Sequence, residues 1–423
     1  MKYNIALLHY TSPPIVGGVE EVVGQQASLF SRYYHNVTIF AGAGAQLDKN
    51  CEVEINPLLN SRNAEVIEAH RLIRKGMLGG IEGLANRIYE YLSKRLNDFD
   101  VLLAHNVLTM PFNLPLTAAL HRIGQEGLIP IISWNHDSPY FYPDYPRYID
   151  RSPWNILKRA YAEIHYVVIS ESRKKMFADL YRGRERLHVI PNGIDPIRFF
   201  RLDAATVRLI KEERLFEAEF LMVQPSRLHP RKNIELSVRV TRALQDLGVK
   251  ARLLVTGAYD PHGPKTLRYY NKLKNLAQEL GIEDDVLVLA GYLFESGEKL
   301  LVDRIRIRDL YLIADILFLP SLQEGFGIPL LEAGMIKLPI VCSNIPPFLE
   351  IGGNDVSLFD VNDPPEKIAR TILDFVGRLK PHRMFRKVVS DYAWDLLYQK
   401  KLMPLLSEVI SSDRNSEKQK KKS

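Results

Sequence analysis

Short apolar runs, each followed by a stretch of helical spacing, recur along this chain and restrict it to one fold class. Lys2–His9 is the first run, Val19–Tyr34 has helical period, and Asn36–Ala41 returns to strand character, which makes a β-α-β unit. Runs at Val101–His105, Ile129–Trp134, His165–Ile169 and Leu187–Ile190 continue the alternation. Runs that are apolar throughout suit a parallel sheet covered by helices, so the expected class is α/β. Turn residues then gather in Pro191-Asn192-Gly193-Ile194-Asp195-Pro196, the expected start of a connection between domains. A second series follows at Phe220–Gln224, Arg252–Thr256, Val286–Ala290, Asp315–Pro320, Pro339–Cys342 and Val356–Phe359. Its helices are expected from Asn233 and Lys265 onward and near Asp309, Pro329 and Glu366.

A chain of 423 residues exceeds one ordinary core, which agrees with two parallel-sheet domains, 1–195 and 196–383. A long helical pattern occupies 384–412, and the polar, lysine-bearing segment 413–423 is expected to be disordered. The balance of 56 Lys+Arg against 50 Asp+Glu leaves a net charge of +6, which suits anionic small molecules and argues against a nucleic-acid partner. The two cysteines, Cys51 and Cys342, lie too far apart in sequence to suggest a disulfide framework or metal site. Met1 leads into an apolar strand without a basic leader, and no run approaches the ~20 apolar residues a bilayer requires. The expected localisation is therefore cytoplasmic. The basic region Arg71–Arg95 leaves open a weak peripheral contact with a membrane, against the plainer reading of a surface helix.

The segment Ser321-Leu322-Gln323-Glu324-Gly325-Phe326-Gly327-Ile328-Pro329-Leu330-Leu331-Glu332 carries the strongest chemical signal. Gly325 and Gly327 permit a tight turn and close approach to a ligand, while Pro329 is at home only in the first turn of a helix. A helix opening there points unpaired N–H groups and its positive dipole end at the loop, a phosphate-binding arrangement. Glu324 is placed to accept hydroxyl hydrogen bonds, and Glu332 is expected in the first helical turn. The bland alternative is a shaped turn followed by a dipole-complementing carboxylate.

This segment resembles the signature of family 4 glycosyltransferases, retaining enzymes of the GT-B fold. The resemblance implies two Rossmann-like domains facing across a cleft, with a C-terminal helix crossing back to the first; Tyr392-Ala393-Trp394 resembles that closing segment. It implies that Glu324 reads the donor sugar, that Gly325, Phe326, Gly327 and Ile328 hold the diphosphate, and that Glu332 binds the ribose. In Gln224-Pro225-Ser226-Arg227-Leu228-His229-Pro230-Arg231-Lys232-Asn233, Arg227 and Lys232 keep the spacing of the family's diphosphate-binding pair. Cations at a helix amino terminus oppose its dipole, so stability alone does not explain them. In Trp134-Asn135-His136-Asp137-Ser138-Pro139-Tyr140, His136 matches a histidine that touches the donor sugar, although a lone histidine is more often structural. Gly17 and Gly18 resemble the family's first-domain loop, which presents amides to diphosphate or acceptor; a plain turn explains them equally.

The implied activity is transfer of a hexose, glucose or mannose, from a UDP or GDP sugar to a hydroxyl of a sugar, small glycoside or glycan precursor. The Pro230–Asn233 and Asn135–Asp137 runs also resemble members that mannosylate or glucosylate small organic acids and their glycosides. No cofactor and no metal are expected: Asp98-Phe99-Asp100 has the Asp-x-Asp form but precedes a strand, where acidic residues punctuate a turn. A nucleotide-sugar epimerase and a non-catalytic nucleotide-sugar-binding protein are the rival readings. A dinucleotide-binding dehydrogenase lacks its Gly-x-Gly-x-x-Gly fingerprint here.

Overall fold

The computed structural model describes residues 2–46, 51–77, 79–183, 186–257 and 264–420, and divides into two units. The first comprises Met1–Asp195 together with Tyr392–Ser423, and the second Pro196–Asp391.

In the first unit, β1 (Asn4–His9), β2 (Asn36–Ala41), β3 (Glu52–Ile55), β4 (Val101–His105), β5 (Ile131–Asn135), β6 (Ile164–Val168) and β7 (Leu187–Val189) form one parallel sheet. Its order is β3-β2-β1-β4-β5-β6-β7. In the second, β8 (Phe220–Gln224), β9 (Ala251–Val255), β10 (Val286–Val288), β11 (Ile316–Leu319), β12 (Ile340–Ser343) and β13 (Ser357–Phe359) form another, ordered β10-β9-β8-β11-β12-β13. In both, the order reverses beside the first strand, and in such sheets ligands gather outside the carboxyl ends of the strands at that reversal.

Both faces of each sheet are covered, which accounts for the unbroken apolar runs. Along β1, Ile5 and Leu7 join one core while Ala6 and Leu8 join the other. Along β8, Phe220 and Met222 face one layer and Leu221 and Val223 the opposite one. All twelve expected strands are present, and β3 is an addition. Its sequence Glu52-Val53-Glu54-Ile55 is polar at alternate positions and partly exposed because it forms the edge of its sheet.

The carboxyl-terminal segment departs from expectation. In place of one long helix from Met384, the chain remains with the second unit through Asp391. Asp315, fully buried, fixes it there, bonded to His382 at 2.8 Å and Arg386 at 3.3 Å within the helix Lys380–Lys387. Ala393 is then extended and pairs with Ile194, so the outgoing and returning segments run side by side. Trp394 is fully buried, its indole donates to Gln25 Oε1 at 2.6 Å, and its ring lies where a Gly193 side chain would project, 2.7 Å from an added Cβ. The last helix, Met403–Lys420, runs through most of the segment expected to be disordered, and residues 421–423 lie outside the described ones. Ser, Glu, Gln and Lys there are compatible with helix and contain no breaker.

Candidate active site

In the second unit the expected residues converge at the carboxyl ends of β8 and β11. The two loops are tied directly, since Leu322 N–H donates to the Arg231 carbonyl at 2.8 Å. Gln224, the last residue of β8, donates to the Lys232 carbonyl at 2.9 Å and accepts from Ser237 Oγ at 2.6 Å, fixing the course of the turn. Asn233 enters the left-handed region at φ 50°, ending the turn at Lys232 before the helix Ile234–Asp246 begins. The Lys232 ammonium then meets Glu324 Oε1, which also accepts from Ser321 Oγ at 2.8 Å. Both side chains are mostly buried, at 15% and 14% exposure. Glu324 is thus held by Lys232 and Ser321 through one oxygen, and Oε2 has no partner among the described residues. Arg227 is exposed and makes no ion pair among the described residues.

Beyond Glu324 the backbone opens. The amides of Gly325, Phe326, Gly327 and Ile328 have no hydrogen-bond partner among the described residues. Gly327 caps the helix Ile328–Met335 at φ 132°, and a Cβ there would press on Phe348 and Ile351 at 3.3 Å. Around Gly325 nothing lies within 4 Å of the Cβ position. Phe326 and Ile328 stand more than half exposed, at 57% and 55%. Free amides at a helix start, next to the Glu324 that Lys232 pairs with, have the polarity and geometry that suit an anion.

Glu332 requires a correction. The helix begins at Ile328, with Pro329 second, so Glu332 lies beyond the first turn, which contains no acidic residue. Its carboxylate is held by Tyr311, whose hydroxyl donates to Oε2 at 2.9 Å, and by Arg304. Burial, with the Glu332 charge behind it, pushes the Tyr311 hydroxyl pKa up, so it remains a donor. Neither partner was legible in the sequence, because both come from the helix Arg304–Ile313.

In the first unit, His136 follows β5 directly and is buried. Its N–H and that of Asp137 both donate to Asn106 Oδ1 at 3.0 Å, with Asn106 itself at φ 59°. Both ring nitrogens are engaged: Nε2 lies 3.3 Å from His105 Nδ1, and Nδ1 lies 3.2 Å from Asn192 Nδ2. Burial lowers the His136 pKa to about 3, with His9 contributing, so the ring is neutral. His9, His105 and His136 sit at the carboxyl ends of three adjacent strands, β1, β4 and β5. The signal was in the sequence: the apolar runs of β1 and β4 end on a histidine, and a histidine follows β5 directly after Asn135.

Asp137 pairs with Arg173 at 3.1 Å and accepts from the Tyr142 hydroxyl at 2.7 Å, while the Tyr142 ring stays 46% exposed. The remaining aromatics of that loop are used internally: Tyr140 bonds the Ile149 carbonyl and Tyr145 bonds Asp150.

Gly17 caps the helix Gly18–Arg32 in an extended conformation, so its need for glycine is spatial. An added Cβ would fall 2.1 Å from the Glu20 carboxylate, which folds back over it. The chain's own anion therefore already complements this helix start, and a diphosphate at Gly17 and Gly18 would meet like charge. Asp98 and Asp100 lie at the opposite, amino edge of the sheet: Asp100 accepts from the Asn4 amide at 2.8 Å and the Asp98 carbonyl from the Asn4 side chain at 3.0 Å. Among the described residues no group of three or more His, Cys, Asp or Glu is arranged to hold a metal ion. No described helix is long and apolar enough to cross a membrane. The basic helices Ala64–Arg74 and Gly79–Arg95 carry matched charges, with Arg71 on Glu68, Arg87 on Glu65 and Arg95 on Glu54.

Two family profiles divide the chain: Glycosyltransferase Family 4 matches residues 16–198 and Glycosyl transferases group 1 matches 207–387. The chain belongs to the family 4 glycosyltransferases. Mannosylglucosylglycerate synthase of Petrotoga mobilis is 26% identical over 295 residues, 64% of this chain and 65% of that protein. A D-inositol 3-phosphate glycosyltransferase of Saccharomonospora viridis is 31% identical over 175 residues, 40% of this chain and 38% of that protein. The matches thus span less than two thirds of these relatives. Among solved structures, sucrose-phosphate synthase of Thermosynechococcus elongatus aligns over 97% of this glycosyltransferase and 100% of that chain, at 15% identity and a TM-score of 0.42.

Proposed function

We propose that this protein is a retaining hexosyltransferase that takes glucose or mannose from a UDP or GDP sugar and delivers it to a hydroxyl of a sugar, small glycoside or glycan precursor. The observation that carries the reading is the Lys232–Glu324 pair standing beside the four amides of Gly325–Ile328, which have no partner among the described residues. As the sugar bond breaks, negative charge accumulates on the departing diphosphate. Lys232, Arg227 and the free amides neutralise it, and fixed donors of this kind act in the transition state without reorganising. Glu324 Oε2 accepts from donor-sugar hydroxyls, and Glu332 exchanges its exposed partner Arg304 for the ribose. His136 contacts the donor sugar as a neutral ring. Gly17 and Gly18, beside Glu20, meet the hydroxyl-bearing acceptor rather than the diphosphate.

Substitution on one face follows as the mechanism: the leaving phosphate oxygen takes the acceptor proton while the new bond forms on the same face. Cationic side chains and amides supply the neutralisation, so the reaction proceeds without a metal. Relatives named for making mannosylglucosylglycerate and for glycosylating D-inositol 3-phosphate support a small, polyhydroxylated acceptor.

The test is incubation with a panel of UDP and GDP sugars, with and without sugar and glycerate-type acceptors, followed by proton NMR of the product. An axial glycoside is expected from a gluco or manno donor. An equatorial linkage refutes retention, and conversion of the donor without acceptor supports the epimerase instead.

A further inference from the structure

The nitrogen partners of His136 are unequal in a way that decides which of its two faces is available. His105 is fully buried, its ring stacked on Trp134 with centroids 5.6 Å apart, and its carbonyl is bonded to His9 Nδ1 at 2.7 Å. It cannot leave without dismantling the ends of β1, β4 and β5. Asn192 belongs to the turn Pro191-Asn192-Gly193, is only partly buried, and leaves its own Oδ1 without a partner among the described residues.

The protons follow from these contacts. Asn192 Nδ2 donates to His136 Nδ1, so that nitrogen carries a lone pair. A neutral ring then has its proton on Nε2, where the atom in reach is His105 Nδ1. His105 must accept there and carry its own proton on Nε2, which has no partner among the described residues. We propose that His105 is a positioning residue, one that fixes His136 as the Nε2–H tautomer and so makes Nδ1 the atom it offers to a ligand hydroxyl. Asn192 holds that place in the free protein, and a hydroxyl that donates to Nδ1 replaces its amide with the same polarity. The proposal rests on the assignment of His136 to sugar contact. Burial keeps both rings neutral, since the pKa of His105 is lowered well below the ordinary value and that of His136 to about 3.

The test combines a spectrum with a rescue. In uniformly 15N-labelled protein, with His136 assigned through His136→Gln, long-range proton–nitrogen correlations are expected to show Nε2 protonated and Nδ1 bare, unchanged between about pH 5 and 8. His105→Asn keeps an acceptor oxygen near the position of Nδ1, whereas His105→Leu removes it. The Asn variant is expected to preserve the tautomer and turnover within about threefold; the Leu variant is expected to mix tautomers and lower kcat about tenfold, with donor KM little changed, as for one lost hydrogen bond. A proton on Nδ1 in the unmutated protein overturns the proposal, as do Asn and Leu variants of equal turnover. Should His105→Leu not fold, loss of the Nε2–H tautomer in His105→Asn refutes the proposal and its retention supports it. The spectra need no activity, so a protein that transfers no sugar refutes the transferase reading and leaves the tautomer result standing.

Discussion

Replacing Lys232 with Met separates what its charge does for catalysis from what it does for the fold. The ammonium and the Glu324 carboxylate are 15% and 14% exposed, an environment near the protein surface. There an effective dielectric of ~20 makes two unit charges ~4 Å apart worth about 4 kcal/mol. A cation preorganised against a departing diphosphate contributes about 3 kcal/mol, which at ~1.4 kcal/mol per decade is somewhat over a hundredfold in turnover. Among the described residues, the same substitution leaves Glu324 with only Ser321 Oγ as a partner. Breaking a buried pair from one side costs about 3–5 kcal/mol, and partial exposure reduces that to about 1–3 kcal/mol here. Lys232→Met, Glu324→Gln and the double variant are to be compared by nucleoside-diphosphate release and by denaturant midpoint. The double variant is expected to regain much of the stability lost in Lys232→Met and none of the turnover. Asp98→Ala, at the far edge of the first sheet, is the control expected to leave turnover within about twofold. Unchanged turnover in Lys232→Met, or its recovery in the double variant, refutes the reasoning.

The two loop glycines give opposite expectations. Gly327→Ala is strained at φ 132° and crowds Phe348, so it should destabilise the second unit by about 1–2 kcal/mol in urea unfolding. Gly325→Ala meets open space, so its stability should hold while donor KM rises if the diphosphate lies there. In the first unit, Gly193→Ala drives a methyl into the buried ring of Trp394 and should cost about 2 kcal/mol or more by the same measurement. His121 is buried without a partner on either ring nitrogen among the described residues, and burial lowers its pKa to about 3. Its folded pKa lies below the unfolded value near 6.5, so between those pH values the unfolded chain binds the extra proton and stability falls as pH falls. His121→Leu should therefore flatten the acid limb of the stability curve by up to ~1.4 kcal/mol per pH unit, and an unaltered limb would disprove the assignment.

The fold was largely legible because its strands are apolar on both faces and leave an unbroken signature, as in Leu317-Phe318-Leu319. β3 escaped because an edge strand with Glu52 and Glu54 has no such run. The amide cradle of the candidate site was legible too, since Gly325, Gly327 and Pro329 encode it locally. The partners of its carboxylate Glu332 were not, nor those of the neutral His136 in the first unit: Glu332 is held by Tyr311 and Arg304, and His136 by Asn192 and His105, residues brought near only by other elements.

The amino-acid sequence by itself determined which segments become strands, which become helices, and where a helix start would present free amides, because these depend on periodicity and backbone preference within a few residues. The tertiary structure alone decided that Lys232 answers Glu324 across the neighbouring strands β8 and β11, that three strand-end histidines lie in a row, and that Asp315 retains the Lys380–Lys387 helix in the second unit. Those outcomes depend on strand order and on burial, which set how near two distant charges come and how little water remains to screen them.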